Sequence, residues 1–323
     1  MNTKRILAML VALACLLGCF GCANTKTDSN ATTEPTLSKA AKEKLDGKKV
    51  LIVGNSYCYY GHAVLRNGTK DLTQESRSND HGYFYQLCKS QGAEVSVTDW
   101  AFGDHSLWET LGTSCTRETC YGVDHLSYLT DKSFDYIVLT PYEMDYDGDL
   151  QEYLEPLMAP FIEANPDVQF LLAVPHMAYG RNYKWIPSLQ NIDRSKITIC
   201  NWGKMVSDIL DGTVQVPNAT QLYVKSSFVV SISETDGHHQ NVLSGYLTAL
   251  MIYCAITGDS AVGQTYDFCN DPSIEPKFSF DAYKAEKYTH ETFTNFAEIF
   301  ASPADMDGLQ QLVDQYIAAP FGS

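Results

Sequence analysis

Two short segments of this chain carry residue types that can do nucleophilic chemistry. The first is Gly54-Asn55-Ser56-Tyr57, which follows a compact apolar run. A serine on a tight strand-to-helix turn exposes its hydroxyl and leaves its own backbone N–H free to help an oxyanion. The second is Ser233-Glu234-Thr235-Asp236-Gly237-His238-His239-Gln240-Asn241, ahead of a long apolar helix pattern. A serine hydroxyl needs a base to take its proton, and the imidazole of that base needs a carboxylate to hold its tautomer and stabilise the imidazolium. Asp236 and His239 can supply both from one loop. Each segment alone also fits a plainer role, Ser56 in an ordinary turn or helix cap and Asp236 as the cap of the helix that follows.

These segments need a scaffold that brings them together. The runs Val50–Val53, Val95–Trp100, Tyr136–Thr140, Phe170–Val174 and Leu222–Ser226 read as strands. Tyr83–Ser90, Leu150–Ala164, Lys196–Leu210 and Val242–Thr257 read as helices. Near-continuous apolar strands alternating with helices predict a parallel sheet covered on both faces, a three-layer α/β/α sandwich with a flavodoxin-like sheet. In such sheets chemistry gathers outside the carboxyl ends of the strands. The serine segment follows the first of these strands and the Asp/His segment follows the fifth.

Together the two segments resemble the SGNH/GDSL hydrolase superfamily. Glycine-Asn-Ser after the first strand and D-x-x-H before the last core helix match it in order and spacing. Gly54-Asn55-Ser56-Tyr57 and Asp236-Gly237-His238-His239-Gln240-Asn241, with Gly245-Tyr246-Leu247-Thr248-Ala249, look like a bacterial branch of it, over most of residues 47–260. The resemblance implies a Ser56, Asp236, His239 triad without cofactor or metal. It also implies an oxyanion hole built from the Ser56 N–H, a glycine N–H after the second strand and an asparagine after the third. Gly103, in Phe102-Gly103-Asp104-His105, is the candidate glycine, and its plainer role is a turn. The third-strand segment Ile137-Val138-Leu139-Thr140-Pro141-Tyr142-Glu143 has no asparagine, so Thr140 is left as the candidate third donor. Losing one such donor costs about 100- to 1000-fold in rate.

Rival residues exist. His238 adjoins His239, and the family spacing selects His239. Cys58 lies two residues beyond Ser56, where the turn directs it elsewhere. A metal site from Asp236, His238 and His239 lacks a further ligand.

The chain of 323 residues has 23 basic and 39 acidic side chains, a formal charge of −16, so a phosphate backbone would be repelled and nucleic acid is not an expected partner. Its 20 tyrosines and 4 tryptophans suit packing first and sugar stacking second. Lys4 and Arg5 precede the uncharged stretch Ile6–Leu17, then Gly18 and Cys19, the layout of an export signal. That stretch is shorter than the roughly 20 residues a membrane-spanning helix needs. Leu16-Leu17-Gly18-Cys19 resembles the bacterial lipoprotein box, with Cys22 as a competing site. The expected organisation is a signal peptide over residues 1–18, a lipidated N-terminus and flexible tether over 19–45, and the hydrolase-like domain over 46–323. From Ala23 to Leu45 the chain has no aromatic residue, and as a random coil it would reach roughly 25 to 30 Å. Of the ten cysteines, Cys115 and Cys120 are close enough in sequence for an export-permitted disulfide; most others read as buried small hydrophobes.

The function expected is an exported, membrane-anchored serine esterase acting on a small ester or an acylated glycan. A noncatalytic glycan-binding lipoprotein and an O-acyltransferase on the same fold are the alternatives.

Overall fold

The computed structural model describes residues 38–58, 82–102, 105–111, 125–141, 150–175, 193–229, 240–270 and 303–318. Its sheet has six strands: β1 (Lys49–Gly54), β2 (Ser96–Ala101), β3 (Tyr136–Leu139), β4 (Gln169–Ala173), β5 (Ile197–Cys200) and the short β6 (Ile317–Ala318). They lie in the order β2-β1-β3-β4-β5-β6. The first five pair in parallel, and β6 runs antiparallel on the edge of β5. The order 2-1-3-4-5 is the flavodoxin-like one, as the sequence predicts.

Side chains alternate across each strand, so each of the five parallel strands serves two cores. Val50, Ile52, Val138 and Leu171 join the first core, with α1 (Lys39–Leu45), α2 (Tyr83–Ser90), α6 (Trp202–Leu210), α8 (Val242–Thr257) and α9 (Pro303–Gln315). Leu51, Val53, Ile137, Leu139 and Leu172 join the second, with α3 (Leu107–Leu111), α4 (His125–Thr130) and α5 (Leu150–Ala164). Burial on both faces is why β1, β3 and β4 read as near-continuous apolar runs.

Helix α8 is apolar around its whole girth, because α1, α2 and α9 surround it on the sheet. It begins at an N-cap, Asn241, whose side chain accepts the Ser244 N–H, and ends at Gly258 in the left-handed conformation at φ 76°. Its direction matters for the site. Ala255 and Ile256, at its end, line one cavity with Tyr136, Gln169 and Thr198 from the amino ends of β3, β4 and β5. Met251, a turn earlier, takes a bond from the Cys200 thiol at the carboxyl end of β5. The start of α8 therefore points to the carboxyl edge of the sheet.

Three expectations are corrected. The fifth strand is Ile197–Cys200, not Leu222–Ser226: Leu222 is 84% exposed and Val224 47%, and the chain turns there into the short helix α7 (Lys225–Phe228). The helix read over Lys196–Leu210 is divided at Asn201, whose side chain accepts the Lys204 N–H and starts α6; the residues before it form β5. The folded part also begins earlier than residue 46. Ser38 caps α1, and Ala41 and Leu45 are fully buried against α8. Burying one leucine contributes about 1.5 to 3 kcal/mol toward ordering this short polar helix, and Lys44 Nζ adds a bond to the Thr257 carbonyl at 2.8 Å. Among the described residues no helix is long and apolar enough to cross a membrane. Cys58, Cys88, Cys200, Cys254 and Cys269 are buried free thiols, as expected. Cys19, Cys22, Cys115 and Cys120 lie outside the described residues.

Candidate active site

In this strand order the direction of winding reverses between β1 and β3, and the crevice above that reversal is where an open α/β sheet binds ligands. Ser56 stands there. The chain leaves β1 at Gly54, passes Asn55 and enters a single 3-10 turn, Ser56–Cys58. Backbone bonds tie the neighbouring exits to the same place: Thr140 N–H donates to the Val53 carbonyl (2.9 Å) and Phe102 N–H to the Gly54 carbonyl (3.0 Å).

Asn55 braces the turn. It is fully buried; its side-chain oxygen accepts the Tyr57 N–H (3.0 Å) and its amide donates to the Thr140 carbonyl (3.1 Å), across from β1 to β3. The Asn55 carbonyl in turn accepts both the Cys58 N–H (3.2 Å) and the Cys58 thiol (2.8 Å). Close packing beneath depends on Gly54, where a Cβ would stand 2.7 Å from Cys58 Sγ and 2.9 Å from Thr140 Cβ.

Cys58 is no rival nucleophile. Burial first, and the Asp99 carboxylate second, push its thiol far above the usual range, so the reactive thiolate is absent at neutral pH. Asp99 itself is wholly buried near the end of β2 and accepts the Ala101 N–H (3.0 Å). Thr140 is fully buried, and its side chain is hydrogen-bonded to the Cys58 thiol. Its observed part is to hold Asn55 and Cys58.

Gly103, Asp236, His238 and His239 lie outside the described residues; Phe102, which precedes Gly103, and Gln240, which follows His239, are described. Phe102 is anchored to Gly54 as above. Beyond Gly103, Ser106 and Glu109 form a reciprocal cap at the start of α3, each accepting the other's backbone N–H (3.1 and 2.9 Å). The segment holding Asp236 and His239 is closed at its base by an antiparallel bridge between Val229 and Gln240. That base adjoins the start of α8, on the carboxyl edge with Ser56. Among the described residues no cluster of His, Cys, Asp and Glu could hold a metal.

Sequence reasoning assigned no role to Asn55 or Asn241. Their signal was present, since an asparagine in a turn or ahead of a helix is a residue whose side chain stands in for backbone. We expect Asn55→Ala to leave the Tyr57 N–H and the Thr140 carbonyl without these partners, each loss costing about 1 to 3 kcal/mol. Urea unfolding should show this as a lowered midpoint with an unchanged slope.

No protein-family model and no curated protein matches the chain. Several solved structures resemble it. One described as a GDSL-like lipase from Parabacteroides merdae shares 14% identity with a TM-score of 0.39, covering 66% of this chain and 97% of that one. An acetyl-xylooligosaccharide esterase from a Geobacillus species shares 11% with a TM-score of 0.43, over 67% and 96%. A family two carbohydrate esterase from Clostridium thermocellum, solved with cellohexaose, shares 13% with a TM-score of 0.35, over 67% and 65%.

Proposed function

We propose that this chain is a serine esterase of the SGNH/GDSL type, lipid-anchored outside a bacterial cell and removing acyl groups from glycans. One observation carries the reading: Ser56 opens a turn at the switch point of a flavodoxin-like sheet, braced by Asn55 to β3. The base of the Asp236/His239 segment adjoins the same edge. In the proposed reaction Ser56 Oγ bonds to the ester carbonyl carbon while His239 takes the hydroxyl proton, and Asp236 steadies the imidazolium. The bond from carbon to the leaving oxygen then breaks, and His239 returns the proton to the departing alcohol. Water, deprotonated by His239, attacks the acyl-serine; the carboxylic acid leaves and Ser56 regains its proton. The N–H groups of Ser56 and Gly103 hold the oxyanion.

A serine-reactive fluorophosphonate probe tests the assignment. Labelling that requires Ser56, with hydrolysis of 4-nitrophenyl acetate and release of acetate from acetylated xylo-oligosaccharides, supports it. Folded protein that takes no label supports instead a noncatalytic glycan binder, the reading favoured by the burial of Thr140 and the absence of a third-strand asparagine.

The anchor is tested separately. Replacing Cys19 and Cys22 together with serine should release the protein from the membrane fraction, and association unchanged in that variant would overturn the lipoprotein assignment.

A further inference from the structure

The residues that follow His239 form a buried polar clamp. Gln240 is 1% exposed, Asn241 3%, Ser244 1% and Thr248 0%. Asn241 N–H donates to the Phe228 carbonyl (3.1 Å), and the Asn241 amide donates to the Ser227 carbonyl (2.9 Å), with a longer contact to Ser226 (3.4 Å). Ser244 Oγ donates to the Phe228 carbonyl as well. The Asn241 side-chain oxygen accepts the Ser244 N–H (3.0 Å), and Gln240 accepts from the Thr248 hydroxyl (3.2 Å). One asparagine thus caps the start of α8 with its oxygen and satisfies the last carbonyls of α7 with its nitrogen.

From this network we propose that Asn241 is a positioning residue for the proposed base, His239. The inference rests on the esterase reading. Gln240 is bridged to Val229, and His239 is its covalent neighbour, so the clamp holds the imidazole's point of attachment within one residue of a rigid anchor. A base must sit within hydrogen-bond reach of the proton it moves, and small misplacements cost about 100-fold. The buried amide of Asn241 fixes the chain two residues beyond the proposed base, which must both take the proton from Ser56 and return it to the leaving alcohol.

Asn241→Asp separates the two halves of the clamp. Aspartate keeps the capping oxygen and loses the amide that donates to Ser227. The readout is the ratio of turnover on an alkyl acetate to turnover on 4-nitrophenyl acetate, normalised to the fraction of protein that a fluorophosphonate labels at saturation. Nitrophenolate leaves without a proton and the alkoxide does not, so a displaced imidazole lowers the alkyl rate more. We expect that ratio to fall about tenfold with KM within twofold, whereas a purely structural loss would shrink the labelled fraction and leave the ratio unchanged. Ser244→Ala, which removes only the hydroxyl bond to Phe228, should move the ratio the same way by a smaller factor and serves if the aspartate variant fails to fold. Wild-type ratios in the labelled fraction of the folded variants would overturn the clamp alone. A wild-type protein that neither takes the label nor cleaves an ester would overturn the clamp and the esterase reading together.

Discussion

Ser56→Ala should lower turnover of a short acyl ester by about 10⁴- to 10⁶-fold while the domain stays folded. The reason lies in the division of labour proposed for the site: without Oγ no acyl-serine forms, and the residual rate comes from water attack beside the remaining oxyanion donors. His239→Ala should cost a comparable factor, because an unassisted serine hydroxyl is a weak nucleophile. The double variant should be little worse than either single one, since members of a triad act as a unit. His238→Ala should be mild. Steady-state kinetics on 4-nitrophenyl acetate, with folding checked by circular dichroism, decide the matter. Wild-type turnover in Ser56→Ala would remove the nucleophile from its role; a rate that follows His238 instead would move the base by one residue and keep the rest.

Gly54→Ala should be the most damaging single-methyl change at the nucleophile turn. The added Cβ would meet Cys58 Sγ at 2.7 Å and Thr140 Cβ at 2.9 Å, with the Thr140 carbonyl at 3.3 Å. All three belong to fully buried residues of the turn and the end of β3, so the strain passes directly into the crevice. Overpacking of this kind costs about 1 to 3 kcal/mol. Because Asn55 spans the same gap, displacement of β1 from β3 should also stretch its bond to Thr140 and slow fluorophosphonate labelling of Ser56. The companion Gly54→Ala, Cys58→Ala variant relieves the sulfur contact and leaves the Thr140 one. Urea midpoints should therefore show partial recovery in the double variant. A Gly54→Ala protein as stable and as reactive as wild type would show that the crevice yields without cost.

What the amino-acid sequence determined by itself was whatever depends on local chemistry and periodicity. Helices α2, α5 and α8 have the boundaries that their patterns predict, because α2 is amphipathic, α8 is flanked by Asn241 and Gly258, and α5 is closed by Asn165-Pro166. Strands β1, β3 and β4 were legible because both of their faces are buried, which leaves a near-continuous apolar run, and β2 was legible from its alternation. The turn that begins at Ser56 was legible from its place just after the first of these runs. Other features depended on tertiary contacts. Ile197–Cys200 is too short to show a period and adjoins an amphipathic helix, so only pairing with β4 makes it a strand. Leu222 and Val224 have strand-forming types but no sheet edge to join, and they stay at the surface. Lys39–Leu45 gains order against α8, which offers an apolar surface to Ala41 and Leu45 and the Thr257 carbonyl to Lys44. The burial of Thr140 and the bracing by Asn55 and Asn241 were decided in the same way. A buried side chain's hydrogen bonds go to whichever backbone groups the fold leaves unpaired beside it, and those partners, 85 and 14 residues away along the chain, have no signature in the local sequence.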